Sequence, residues 1–156
     1  MTSTTRPDRR VRRARSVVLL LVAALVLAVA AVGCGSDQSV ASTGPVGISL
    51  VEHKVVPSNT KAKAGTVTFE IRNDGTETHE FLVVKSDLDP KALPLDEDGA
   101  VDEKGDGVEF IDERENIKPG GTAQLTVDLQ PGAYVLLCNL EDHYSMGMAV
   151  GFTVTS

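Results

Sequence analysis

The segment Gly65-Thr66-Val67-Thr68-Phe69-Glu70-Ile71-Arg72 alternates without a break, with Val67, Phe69 and Ile71 on one side and Thr66, Thr68 and Glu70 on the other. A period of two belongs to a strand that buries one face and wets the other. Working outward, similar short runs occur at Ile48 to Val56, His79 to Lys85, Val108 to Ile111, Ala123 to Leu129, Ala133 to Cys138 and Met148 to Thr155. Turn chemistry separates them at Pro57-Ser58-Asn59, Asn73-Asp74-Gly75, Pro119-Gly120-Gly121 and Pro131-Gly132, where Pro presets φ and Gly or Asn accepts left-handed backbone. No stretch holds a helical period. The pattern predicts an all-β domain over residues 46–156, a Greek-key β-sandwich of about seven to eight strands.

The 156 residues, 42% hydrophobic and 4% aromatic, suffice for one small domain and exclude two large ones. Charge is divided unequally. Residues 1–33 hold six Arg against one Asp, so the formal charge of -7 leaves nine basic against twenty-one acidic residues over 34–156. A domain of that balance is repelled by phosphate backbones, which argues against nucleic acid and leaves a basic protein or a cation as partner. Acid concentrates between Asp87 and Glu115, where twelve acidic and three basic residues are interspersed with Pro90, Pro94, Gly99, Gly105 and Gly107. This segment, about 87–115, predicts an insertion out of the sandwich: a solvated acidic loop, or a docking surface for a cationic partner. Its spacing does not fit the twelve-residue calcium loop.

The first 33 residues read as an address. Arg6, Arg9, Arg10, Arg12, Arg13 and Arg15 precede a sixteen-residue apolar run from Val17 to Val32, short for a spanning helix of about 20 residues and slightly long for a secretory core of about 7 to 15. Ala31-Val32-Gly33-Cys34 resembles a bacterial lipobox, which predicts acylation of Cys34 as the mature N-terminus, although Ala31 stands where Leu is usual. An uncleaved membrane anchor is the alternative. Either way the remainder lies at the outer face of the cytoplasmic membrane, by a general secretory or a twin-arginine route. Residues 34–45 are rich in Ser, Gly and Thr and read as a tether, spanning roughly 18 Å as a flexible coil.

With Cys34 carrying lipid, Cys138 is left as a thiol without a disulfide partner in an exported domain. Burial and metal binding are the two answers to that liability. The run Cys138-Asn139-Leu140-Glu141-Asp142-His143-Tyr144-Ser145-Met146-Gly147-Met148 gathers a thiolate, an imidazole and thioethers in one turn between strands. Soft sulfur plus imidazole suits copper, and a His2Cys plane with a weak axial Met is the blue-copper arrangement. The second His would be His79, which opens a strand after the Asn73-Asp74-Gly75 turn at the same end of a sandwich. His53 lies within the first strand, at the surface or an edge. Spacing alone allows either Met146 or Met148 as the axial donor.

The strand Ala133 to Cys138, the Cys-x4-His-x4-Met spacing and the upstream Asn-Asp-Gly-x3-His resemble the cupredoxins, the small type 1 blue copper proteins of the plastocyanin and azurin kind. The likeness covers roughly Val46 to Ser156 and is greatest to bacterial members ending in a Cys-Asn-Leu-Pro-Gly-His-Tyr-x2-Gly-Met loop. It implies one copper ion held by His79, Cys138 and His143 in the plane and by Met148 on the axis, since relatives have the ligand Met straight after a Gly. Gly147 would then let the backbone approach the metal, and Tyr144 would pack over the loop. Two positions depart from the pattern. Glu141-Asp142 replaces Pro-Gly beside a ligand His that relatives use as an exposed electron port, and Glu80 replaces an Asn that ties the two ligand loops together.

Among functions, the resemblance implies one-electron transfer with a redox protein as donor or acceptor. Copper storage or delivery and a scaffold that has lost its copper are the alternatives. A multicopper enzyme needs paired His motifs, and beyond His79 and His143 only His53 remains. No Ser-His-Asp or carboxylate pair stands at a convincing spacing, so the chain is expected to be a monomeric carrier and no enzyme.

Overall fold

A computed structural model describes residues 43–156. The expected signal at 1–33, Cys34 and the expected tether up to residue 42 lie outside the described residues. Nine strands and, among the described residues, no helix build two sheets. β1 (Val46–Val51), β2 (Lys54–Pro57), β4 (Gly65–Asn73) and β7 (Thr122–Leu129) form one, in the order β2-β1-β4-β7. β3 (Lys61–Lys63), β5 (His79–Lys85), β6 (Glu109–Ile117), β8 (Gly132–Leu137) and β9 (Ala149–Thr155) form the other, in the order β3-β9-β8-β5-β6. The pairs β1–β4 and β3–β9 are parallel and the other neighbours antiparallel.

The alternation of β4 buries Val67, Phe69 and Ile71, and the β4–β7 register sets these opposite Val127, Leu125 and Ala123. Like meets like on the inward face, which is the unit of sheet stabilisation. Phe69 then crosses the sandwich to Phe81 and Phe152, with ring centroids at 5.3 and 5.6 Å in tilted and edge-on contact, a geometry worth about 0.5–1.5 kcal/mol per pair beyond area burial. Three of the four Phe therefore close the core, and the fourth, Phe110, is exposed.

Three sequence expectations change. The run from Ile48 to Val56 is two strands: Glu52 and His53 make a turn in which His53 takes φ 63, so His53 is an exposed turn residue and not part of the first strand. β3 adds an unexpected short edge strand. The acidic segment is neither continuous nor free in solvent, because residues 109–115 belong to β6 and the remainder packs down as a third layer. Leu93 and Val101 join Leu82, Val84, Val135, Leu137 and Tyr144 in a second apolar cluster on the outer face of the five-stranded sheet. Acidic side chains such as Asp87, Asp96, Asp98 and Asp106 remain exposed above it. Covered on both faces, β5 carries the unbroken apolar run Phe81-Leu82-Val83-Val84, as strands buried on two sides do.

Candidate metal centre

His79 reaches the top of the core through a loop that is tied down from two sides. Fully buried Asn73 donates from Nδ2 to the carbonyls of Glu77 and Ile117, each at 2.7 Å, and its Oδ1 accepts from the Gly75 N–H at 2.9 Å. From the β1–β2 turn, Glu52 accepts from the N–H of Thr76, from the N–H of Glu77 at 3.0 Å and from the Thr76 hydroxyl at 3.2 Å. Opposite His79 the β5–β6 register slips between the pairs His79–Ile117 and Phe81–Arg114, with Asn116 at φ 55; such bulges re-aim side chains next to functional sites.

The other donors come from one loop that closes on its own backbone. Cys138 N–H donates to the Met148 carbonyl at 3.0 Å, Met148 N–H to the His143 carbonyl at 3.1 Å, and His143 N–H to the Leu140 carbonyl at 3.0 Å. Asp142 at φ 63 and Gly147 at φ 110 turn the chain. Asp is among the few residues that accept the left-handed region, which explains how it stands where the related loops have Gly. Gly147 is favoured by that backbone angle, and among protein atoms the nearest to an added Cβ is the His53 carbonyl oxygen, at an ordinary 3.5 Å.

Three donor atoms converge. His79 Nδ1 lies 3.2 Å from His143 Nδ1, Cys138 Sγ lies 3.4 Å from His143 Nδ1, and Cys138 Sγ lies 3.9 Å from His79 Nδ1. A triangle with these edges has a centre about 2 Å from every corner, the length of a bond from imidazole nitrogen or thiolate to a divalent transition metal. His79 and Cys138 are fully buried, and the His143 side chain keeps 14% of its surface. Met148 is 1% exposed and shares the core cluster with Cys138, whereas Met146 is 48% exposed. The arrangement fits a single type 1 copper site.

The electrostatics favour a neutral imidazole at His79 and keep the proton on Cys138 until a metal displaces it. Burial, and then the neighbouring His143, holds His79 below its ordinary value, against the pull of Glu52 and Glu77, so its ring stays unprotonated and keeps a lone pair for a metal. Burial pushes the Cys138 thiol up to about 11, opposed by the backbone N–H groups of Glu80 and Leu140; the Glu80 N–H stands 3.4 Å from Sγ. A metal therefore has to displace a proton here, and the two amides wait for the thiolate.

Around the donors, the replaced residues make ties of their own. The ligand loops meet instead through the Glu80 backbone, whose N–H donates toward Cys138 Sγ, while the Asn139 N–H acts on the Glu80 carboxyl to hold its pKa down. Burial lifts that carboxyl to about 7, with Glu113, Glu115 and Glu103 adding to the effect. The acidic layer is bolted to the ligand loop twice. Asn139 exchanges hydrogen bonds with the backbone of Val101 at 2.6 and 3.1 Å, and the Tyr144 hydroxyl accepts from the Leu93 N–H at 2.9 Å and donates to the Pro90 carbonyl at 3.0 Å. Sequence reasoning missed Glu52 and Glu77, and read Asn73 only as a turn residue of the Asn-Asp-Gly-x3-His motif. Glu52 and Glu77 approach the ring nitrogens on the far side of the two histidines, at 4.0 Å from His79 Nε2 and 3.5 Å from His143 Nε2, and no local motif marks residues so far apart in the chain. His53 contributes to no donor cluster among the described residues.

Comparison with known proteins agrees with this architecture. A family model described as a cupredoxin-like domain matches residues 18–150. Among solved structures, the dithionite-reduced auracyanin from the photosynthetic bacterium Roseiflexus castenholzii superposes with a TM-score of 0.57 at 25% identity, covering 75% of this chain and 100% of that one. Auracyanin B, at 0.52 and 20% identity over 78% and 97%, and reduced rusticyanin, at 0.51 and 17% over 79% and 88%, share the fold. Among curated proteins, the iron uptake system component EfeO of Escherichia coli (strain K12) is 29% identical over 118 residues; the match takes in 75% of this chain and only 26% of EfeO.

Proposed function

The chain belongs to the cupredoxin-like family, and on that premise we propose that it is a mononuclear type 1 copper protein that passes single electrons at the outer face of the bacterial cytoplasmic membrane. The observation that carries this is the convergence of His79 Nδ1, His143 Nδ1 and Cys138 Sγ on one point. In this reading those three residues would hold the ion, and Met148, whose burial favours it over exposed Met146, would add a thioether. Copper bound there would alternate between Cu(II) and Cu(I). The chain's own part is to keep the donors still. Asn73, Glu52 and the closed loop from Cys138 to Met148 fix them before any metal arrives, and the buried core excludes water from His79 and Cys138. His143 alone keeps an exposed edge, so an electron would enter or leave beside it, under the charges of Glu77, Glu141 and Asp142. A cationic face on the redox partner complements that rim.

Export rests on the Arg-rich start and apolar run, and anchoring rests on Cys34. Cys34→Ser should leave an unprocessed precursor; unchanged mobility and membrane fraction would favour a plain signal anchor. The partition we propose is a signal at 1–33, a tether at 34–45 and a cupredoxin domain at 46–156.

Cu(II) added to the full chain in detergent should give an intense red absorption that vanishes on reduction, and Cys138→Ser should abolish it while the sandwich stays folded. A colourless wild type refutes the reading. A second reading, copper storage or delivery, draws on the likeness to relatives named as iron uptake components. Rapid surrender of copper to a chelator without change in redox state would favour it, although full burial of two donors argues for slow release.

A further inference from the structure

Accepting the copper reading above, we infer that Glu52 is a positioning residue of the metal centre: together with Glu77 it sets a carboxylate charge behind the outward ring nitrogens of the two ligand histidines and biases the ion toward its oxidised form. An imidazole that gives Nδ1 to a metal carries its proton on Nε2. For His79 that N–H is fully buried and has no hydrogen-bond partner. The carboxylate oxygen within reach is Glu52 Oε1, 4.0 Å away. On the other ring, His143 Nε2 faces Glu77 Oε2 at 3.5 Å. The two residues are tied through the backbone, because the Glu77 N–H donates to Glu52 Oε1 at 3.0 Å. Metal-bound His commonly passes its second N–H to a carboxylate, which fixes the tautomer and makes the ring a stronger donor. Negative charge behind both rings also favours the ion's higher charge.

A residue that only anchored the 74–78 loop would affect folding and nothing else. Glu52→Gln separates the roles, since the amide oxygen still accepts from Thr76 and Glu77 but the charge is gone. In copper-loaded full chain we expect Glu52→Gln to keep the red absorption while moving the Cu(II)/Cu(I) equilibrium toward Cu(I) by about tenfold, which is 59 mV for one electron. Glu77→Gln should move it in the same direction by less. Glu77 is 60% exposed against 32% for Glu52, so added salt should shrink its effect and spare that of Glu52. A second measurement needs no variant: in Cu(I)-loaded wild type the His79 Nε2–H should appear as a slowly exchanging ring resonance. An intact red band with an unmoved potential in Glu52→Gln, or a ring proton exchanging at solvent rates, overturns this inference and leaves the copper reading standing. A wild type without the band overturns both.

Discussion

Tyr144→Phe removes one oxygen atom and leaves the ring in place, which isolates what bolts the acidic layer to the ligand loop. The hydroxyl serves two backbone groups, accepting from the Leu93 N–H at 2.9 Å and donating to the Pro90 carbonyl at 3.0 Å. Leu93 is 4% exposed, so water cannot replace the lost acceptor, and a stranded buried N–H costs about 1–3 kcal/mol. Half-buried Pro90 can rehydrate its carbonyl and loses one ordinary hydrogen bond, about 0.5–1.5 kcal/mol. The expected loss is therefore about 2–4 kcal/mol, a large share of the roughly 5–15 kcal/mol that a domain has in all. Urea unfolding of the metal-free protein measures it directly. Amide exchange at Leu93 should quicken by the same free energy while that at Val101, still held by Asn139, changes less. A loss below about 0.5 kcal/mol with Leu93 protection unchanged would refute the idea that this hydroxyl fastens the layer.

Met148→Gln should retain copper but lower the reduction potential and alter the spectrum, since an axial donor tunes the ion more than it holds it; exposed Met146→Gln should change neither, and voltammetry of both variants decides. Glu80 gives a pH signature: its folded value of about 7 lies above the ordinary 4.5, so the folded chain favours the neutral acid. Its contribution is complete below pH 4.5 and is lost as pH rises to about 7, by about 1–2 kcal/mol after allowance for partial exposure. Urea midpoints of metal-free wild type should thus fall relative to Glu80→Gln between pH 5 and pH 8, and parallel curves would contradict it. Asp142→Ala should destabilise by about 1 kcal/mol through its left-handed backbone, whereas Asp142→Gly should be close to neutral, as thermal melts would show.

Strand faces were legible wherever one side is wet. β4 and β7 show clean alternation because each buries one row against the opposite sheet, and their predicted bounds differ from the observed ones by at most a residue. The turn at Glu52 and His53 was hidden because it uses neither Gly, Pro nor Asn; only the fold obliges His53 to take a positive φ. β6 is legible only at its start, in the run Val108 to Ile111, because Asp112-Glu113-Arg114-Glu115-Asn116 continues it as a charged edge strand with no apolar row. Leu93 and Val101 stand among acidic residues with no period to mark them, although the unbroken apolar runs of β5 and β8 require a cover on their outer face. At the metal centre, donor types and the Cys-His-Met spacing anticipated the convergence of His79, Cys138 and His143. Spacing could not separate Met146 from Met148, because the answer depends on a turn closing at Gly147. Nor could it find Glu52, whose proximity to His79 exists only once β1, β2 and β5 are in place.

The pairing of Lys61 with Thr153 and of His79 with Ile117 carries a consequence for the order in which the molecule comes into being. Chains are made from the N-terminus onward, and β5 has no β8 beside it until residues 132–137 exist. β3 waits longer still, for β9. A growing chain therefore carries only one of the four proposed ligands, His79, while Cys138, His143 and Met148 are still unmade. The centre and the five-stranded sheet are completed together by the same late segment, through contacts of long sequence separation that form slowly.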